Sequence, residues 1–103
     1  MGSKTLLITM DMNKIGQIVD CDKYLFYIDN KQIKLYDLAE KLFGDWYSDQ
    51  ALEFMSAMWV SADTQGGKAE YSTKTRKIRG YGKKPKWLCK DRTIDECYEL
   101  FRK

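Results

Sequence analysis

The residues best suited to bind a charged ligand lie between Lys74 and Leu88, in the sequence KTRKIRGYGKKPKWL. This segment contains no acidic residue, and its basic residues are Lys74, Arg76, Lys77, Arg79, Lys83, Lys84 and Lys86. Gly80-Tyr81-Gly82 lies among them, and glycine allows the backbone to approach another surface closely. Because lysine and arginine neutralise phosphate groups, the segment is predicted to contact a nucleic-acid backbone.

The net charge of +3 conceals an uneven distribution of charge along the chain. Residues 68–90 contain nine basic residues and one acid, a balance of +8, whereas the rest of the chain contains nine basic residues and fourteen acids, a balance of −5. Such a division indicates a surface for polyanions. The blander interpretation, that the basic run is only a solvated surface, stays open.

The composition excludes several kinds of catalytic and metal site. The chain contains no histidine, so Cys-His zinc sites, Ser-His-Asp triads and histidine acid–base catalysis are excluded. Asp63 and Glu70 near Lys68 only faintly resemble the carboxylates of a metal-dependent nuclease, and surface acids explain them better. We therefore predict a protein that is not an enzyme, with no metal and no cofactor.

Cysteine usage and hydropathy give an expectation about the compartment. The odd number of cysteines, at positions 21, 89 and 97, argues against a disulfide framework and fits a reducing cytosol. No apolar run approaches the roughly 20 residues that a membrane span needs. The first residues also lack the pattern of a secretion signal. The expected location is the cytoplasm, without a membrane.

Apolar periodicity predicts an α+β fold with a packed core. Alternating apolar residues predict a strand over residues 5–12, followed by a weaker strand or turn over 14–21. Residues 24–36 are predicted to form a β-hairpin, because Asp29-Asn30 can adopt the left-handed conformations of a tight turn. Residues 69–78 are typical of one or two short strands.

Three helices are predicted from capping residues and apolar spacing. Asp37 begins a short helix that Gly44 ends, and Ser48 caps a longer one that runs to about residue 61. The buried face of the longer helix is predicted to contain Leu52, Met55, Met58, Trp59 and Ala62. Phe54 falls off this face, so it is expected either to be partly exposed or to contact another protein.

The last helix and the loop before it are predicted to pack together. Thr93 and Glu96 form a capping box for a helix from Ile94 to about Phe101. Gly80-Tyr81-Gly82 is expected to break any regular element. Trp87-Leu88 is then predicted to anchor the loop on the buried face of the helix, which offers Ile94, Cys97, Tyr98 and Phe101.

A change in composition predicts two units. Residues 63–67 are polar and end in two glycines, so they are predicted to be a linker. Residues 1–62 would form a hairpin and two-helix unit for dimerisation or partner binding. Residues 68–103 would form a basic unit with a short β-hairpin, a loop and a helix.

The sequence GYGKKPKWL at residues 80–88, followed by Thr93-Ile-Asp-Glu-Cys, resembles the C-terminal DNA-binding domain of the H-NS family of bacterial nucleoid proteins. The resemblance implies that Tyr81, Gly82 and Lys83 enter the minor groove of A·T-rich DNA, where a narrow groove attracts cations. Lys83 stands where the family has arginine, and Tyr81 supplies no cation, so Arg79 is expected to compensate. The family's long oligomerisation helices have no counterpart in residues 5–62.

The predicted function is that of a small DNA-binding protein of the H-NS type, which acts in the bacterial nucleoid or in transcription regulation. The predicted DNA-binding residues are Lys74, Arg76, Lys77, Arg79, Gly80, Tyr81, Gly82, Lys83, Lys84 and Lys86. A·T-rich duplex is the expected partner, with a homodimer or host-protein contact through residues 5–62. The alternatives are a phage- or plasmid-type protein that binds a host protein, and an RNA or single-strand binder in which Tyr81 stacks on an unpaired base.

Overall fold

The computed structural model describes residues 5–8, 17–20 and 23–101, with the side chains of residues 23–100. The predictions for residues 9–16 and for the Phe101 side chain lie outside this part. The fold is α+β, as predicted. In the described part of the chain, no helix is long and apolar enough to cross a membrane.

Two sheets are present among the described residues. The strands β1 (Thr5–Ile8) and β2 (Gln17–Asp20) form an antiparallel pair, which falls within the predicted N-terminal strands. The larger sheet contains β3 (Leu25–Ile28), β4 (Lys31–Gln32), β5 (Lys68–Tyr71) and β6 (Ile78–Tyr81), in the order β4-β3-β5-β6. β3 and β5 are parallel, whereas the β3–β4 and β5–β6 pairs are antiparallel.

Three helices pack with this sheet: α1 (Leu35–Phe43), α2 (Asp49–Gln65) and α3 (Ile94–Phe101). α2 is central, because it packs against β5 and β6 and also against both other helices. Phe54 of α2 is only 1% exposed, and its ring contacts those of Phe43 and Tyr71 at centroid distances of 5.5 and 5.0 Å. The prediction of an exposed Phe54 is therefore wrong, since a helix covered on several sides buries more than one stripe.

Local signals placed most of the predicted element ends correctly. Asp29 and Asn30 have φ values of +46° and +71° in the β3–β4 turn. Gly44 ends α1 at a φ of +86°, and Ser48 caps α2 by accepting a hydrogen bond from the Ala51 N–H at 3.2 Å. The predicted start of α1 at Asp37 is wrong, because the buried residues Leu35 and Tyr36 already belong to the helix.

The segment predicted as a linker is not one. Residues 63–65 form the last turn of α2, and Gly66-Gly67 turns the chain directly into β5. The Tyr24 hydroxyl also donates a hydrogen bond to the carboxylate of Asp63. Burial raises the pKa of Tyr24 to about 12, and this hydrogen bond adds to the effect. Since β5 lies between β3 and β6, the chain before and after this segment shares one sheet and one hydrophobic core.

The capping box of α3 is confirmed. The Thr93 N–H donates to the Glu96 carboxylate at 2.9 Å, and the Glu96 N–H donates to the Thr93 hydroxyl at 3.2 Å. These bonds, above all that from the Thr93 N–H, hold the pKa of Glu96 below its usual value. α3 packs on α2, where Cys97 Sγ lies 3.0 Å from Ser61 Oγ, and its Leu100 is also buried.

Gly80 allows β6 to lie directly on α2. A Cβ atom at this position would lie 2.4 Å from the carbonyl oxygen of Ser61 and 2.8 Å from Gln65 Cγ. The first of these neighbours is helix backbone, which cannot move aside without disturbing α2. The glycine is therefore required by helix–sheet packing.

We predict that Gly80→Ala lowers the free energy of unfolding by about 1–3 kcal/mol, because the added methyl group forces β6 and α2 apart. Urea denaturation followed by circular dichroism measures the change. Gln32→Ala on the exposed edge strand β4 is the control and should stay within about 0.5 kcal/mol of the wild type. A Gly80→Ala variant as stable as this control would contradict the packing role.

Candidate nucleic-acid interface

The turn between β5 and β6 exposes three of the predicted contact residues, Lys74, Arg76 and Lys77. Asp29 of the neighbouring β3–β4 turn holds this turn in place. Its carboxylate accepts hydrogen bonds from the Thr73 N–H at 3.0 Å and from the Thr73 hydroxyl at 2.6 Å, which together hold the pKa of Asp29 below its usual value. The basic turn is therefore tied to the sheet.

β6 divides the next predicted residues between two faces of the sheet. Gly80 is buried against α2 and is not available to a ligand, whereas Tyr81 lies on the opposite face. The Tyr81 ring lies 6.2 Å from that of Tyr27, and the Lys68 ammonium lies 5.8 Å from its centroid. Burial raises the pKa of Tyr81 to about 12. The prediction that Gly80 and Tyr81 break regular structure is wrong, because both belong to β6.

Arg79 and Lys86 have partners inside the protein. Arg79 Nε lies 2.7 Å from Asp91 Oδ1, and Arg79 Nη1 donates to the Lys86 carbonyl at 3.3 Å. The Lys86 ammonium contacts Glu70 Oε1 and Asn30 Oδ1. These two predicted contact residues therefore fasten the loop after β6 to the sheet.

A first cleft, of about 260 Å³, lies beside these contacts. It contains Lys74, Lys77, Arg79 and Lys86 together with the acids Asp29, Glu70 and Asp91. Three carboxylates among four cations leave little net positive charge for a polyanion. The structure thus brings four predicted contact residues together, but it surrounds them with acids from other parts of the chain.

A second cleft, of about 300 Å³, has a different charge balance. Its lining residues are Gln65, Lys83, Lys84, Leu88, Cys89, Lys90 and Arg92, so it has four cations and, among the described residues, no acidic side chain. We call this the cationic cleft. Lys83 and Lys84 were predicted contact residues, whereas Lys90 and Arg92 were not.

The cationic cleft is built by backbone contacts between distant segments. The Lys83 N–H donates to the Gln65 carbonyl at 3.1 Å, which places the loop against the end of α2. Gly82 makes this approach possible, because at its φ of +128° a Cβ atom would lie 2.3 Å from the Gly66 carbonyl oxygen. Arg92 joins through reciprocal backbone hydrogen bonds with Ile78, at 2.7 and 2.8 Å. Because this pairing is non-local, charge counting alone could not assign Arg92 to the site.

Trp87 and Leu88 do not anchor the loop in the core. Their side chains are 75% and 56% exposed, on a 3₁₀ turn of residues Lys86–Leu88. The prediction that they pack on the last helix is wrong. The buried residues of α3 face α2 instead, and the Tyr98 hydroxyl donates to the Glu53 carbonyl of α2 at 2.8 Å.

No family model, curated protein or solved structure matches this chain. The resemblance of about residues 68–103 to the H-NS family therefore stays a prediction, which rests on the short sequence pattern at residues 80–97.

We predict that Lys86→Met lowers the free energy of unfolding by about 1–3 kcal/mol, because it leaves the buried Glu70 carboxylate without its cation. Adding Glu70→Gln to the variant should recover part of the loss, since the buried charge is then gone. Chemical denaturation measures both variants. The matched control is Lys84→Met, which removes an exposed lysine, and an equal loss in this control would show that the Glu70 contact has no special role.

Proposed function

We propose that this protein binds DNA and that the cationic cleft contacts its phosphate groups. The observation that supports the proposal is the convergence of Lys83, Lys84, Lys90 and Arg92 on one concave surface that has no acidic lining residue in the described part of the chain. Several cations on a fixed surface displace counterions from a polyanion, and this release is the main source of sequence-independent affinity.

The exposed turn between β5 and β6 extends the proposed contact surface. Lys74, Arg76 and Lys77 are exposed there and form no salt bridge with the described residues, although Lys74 and Lys77 also line the first cleft with its three acids. These cations flank the strand whose far end leads into the cationic cleft. A phosphate backbone that spans both regions would meet cations at each.

In this proposal the cationic cleft contacts the phosphates, and contacts in the minor groove contribute less to the affinity. Lys83 is exposed and free to reach a groove, but Arg79, which was expected to compensate for the missing groove cation, is held by Asp91. We therefore expect at most a small preference for A·T-rich over G·C-rich duplex. A role in the nucleoid or in transcription regulation, which the H-NS resemblance implies, is part of the same proposal.

The double variant Lys83→Ala/Lys84→Ala tests the assignment. If each lysine contacts a phosphate, the slope of log affinity against log salt should become shallower by about 2, and affinity in moderate salt should fall by about tenfold or more. Fluorescence anisotropy with A·T-rich and G·C-rich duplexes over a salt series measures both quantities.

The matched control is Lys31→Ala/Lys34→Ala. It removes the same charge from two exposed lysines, of which Lys31 lies on β4 at the opposite edge of the sheet and Lys34 just before α1. Equal losses in the two double variants would reduce the effect to net charge and contradict a localised site. An affinity that does not depend on salt would contradict phosphate binding itself.

An exposed aromatic pair supports a second candidate function, contact with another protein chain. Trp46 and Tyr47 are 42% and 66% exposed in the loop between α1 and α2. The loop is fixed, because Asp45 Oδ1 accepts hydrogen bonds from the N–H groups of Tyr47 and Ser48 at 3.1 and 2.8 Å. Rigidly held aromatic side chains are favoured anchors of protein interfaces.

For this second function we predict that the wild-type chain forms a homodimer that Tyr47→Ala weakens, as measured by sedimentation velocity. The control is Lys41→Ala, an exposed position on α1. A wild-type chain that is monomeric at all accessible concentrations would contradict self-association through this loop.

A further inference from the structure

Trp87 is the most exposed large apolar side chain of the described residues, at 75%. An indole can remove 150–250 Å² of surface from water when it is buried, at roughly 25 cal/mol per Å² of apolar area. The fold leaves the Trp87 side chain in water, and the Leu88 side chain beside it is also more than half exposed. A ligand that covers Trp87 would gain the free energy of removing this apolar surface from water.

The 3₁₀ turn that carries Trp87 is held rigidly. Its own backbone bonds run from the Leu88 N–H to the Pro85 carbonyl, at 2.9 Å, and from the Cys89 N–H to the Lys86 carbonyl, at 3.1 Å. The Lys86 side chain fastens it to the buried Glu70, and Arg79 holds the Lys86 carbonyl. A side chain on a fixed turn loses less conformational entropy on binding than one on a free loop.

The charges beside Trp87 indicate the chemistry of its partner. Leu88, the next residue along the chain, lines the cationic cleft, so the exposed indole is attached one residue away from that cleft. A nucleotide combines an aromatic base with an anionic phosphate. The base must be unpaired to stack on an indole, because the bases of a duplex already stack on one another.

We propose that Trp87 stacks on an unpaired base of a single strand whose phosphate lies in the cationic cleft. This inference rests on the proposed function and specifies its ligand further. It also replaces Tyr81 as the stacking residue, because the Tyr81 ring already contacts Tyr27 and Lys68 inside the protein.

The test compares the full wild-type chain with Trp87→Ala and Trp87→Phe. The probes are oligo(dT), oligo(U), an oligonucleotide of the same length with abasic residues, and a duplex. We expect Trp87→Ala to bind oligo(dT) about 10- to 100-fold more weakly, with Trp87→Phe between it and the wild type. Binding to the abasic strand and to the duplex should change less than threefold, since those ligands offer phosphates without an available base.

Two controls isolate the stacking contact. Leu25→Ala changes another exposed apolar side chain outside the cationic cleft and should leave all affinities unchanged. Melting curves of the Trp87 variants should coincide with that of the wild type, because an exposed side chain contributes little to the core. A comparison of oligo(dT) with oligo(U) shows whether the single strand is DNA or RNA.

The outcomes separate this inference from the proposed function. If the wild type binds every probe with a salt-dependent affinity and Trp87→Ala binds equally well, stacking is overturned and phosphate binding stands. If Trp87→Ala loses as much affinity for the abasic strand as for oligo(dT), the contribution of Trp87 does not depend on a base, and stacking is overturned. If the wild type binds no probe, both proposals fail, and a protein partner becomes the explanation for the exposed tryptophan.

Discussion

The position of the basic segment depends on the buried carboxylate of Glu70. Glu70 lies on a central strand and is 7% exposed, and its Oε2 accepts a hydrogen bond from the Asn30 N–H at 2.6 Å while Oε1 contacts Lys86. A carboxylate removed from water is tolerated only with donors and a counter-charge. This one group therefore joins the β3–β4 turn, the middle of the sheet and the loop after β6.

Because of this contact and a similar one, part of the positive charge in residues 68–90 is neutralised within the protein. Lys86 and Arg79 count toward the excess of +8, yet they neutralise Glu70 and Asp91 within the fold. The positive charge that remains available to a ligand depends on where the other cations lie. The cationic cleft contains Lys83, Lys84 and Lys90 from this segment and Arg92 from beyond it. A cluster of four cations without a lining acid is a stronger indication of a polyanion ligand than the charge of the segment as a whole.

Much of the local structure could be predicted from the sequence, because the signals lie within a few residues of the feature. The Ser48 cap, the Gly44 helix end, the Thr93 capping box and the Asp29-Asn30 turn are of this kind. The error about the linker comes from the parallel pairing of β3 with β5. That pairing makes the polar segment at residues 63–67 a helix end and turn rather than a linker.

The candidate site was only partly predictable, because some of its features depend on contacts between segments distant in sequence. Lys83 and Lys84 stand out as exposed cations beside a glycine, and both line the cleft. The contribution of Arg92 depends on the fold of its backbone against Ile78, and the exposure of Trp87 depends on α3 packing against α2. Neither the contribution of Arg92 nor the exposure of Trp87 can be deduced from the spacing of residue types within residues 80–97.

The β3–β5 pairing also determines the order in which a newly synthesised chain can mature. β3 leaves the ribosome before all three helices and before its principal neighbour β5, and the two-residue β4 is too short to stabilise it alone. Until β5 emerges, the apolar side chains of Phe26 and Ile28 have no completed sheet beside them, and a chaperone or an aggregating neighbour can reach them. The cleft itself first exists once synthesis has passed Arg92, because its last lining residue is held by backbone hydrogen bonds to Ile78.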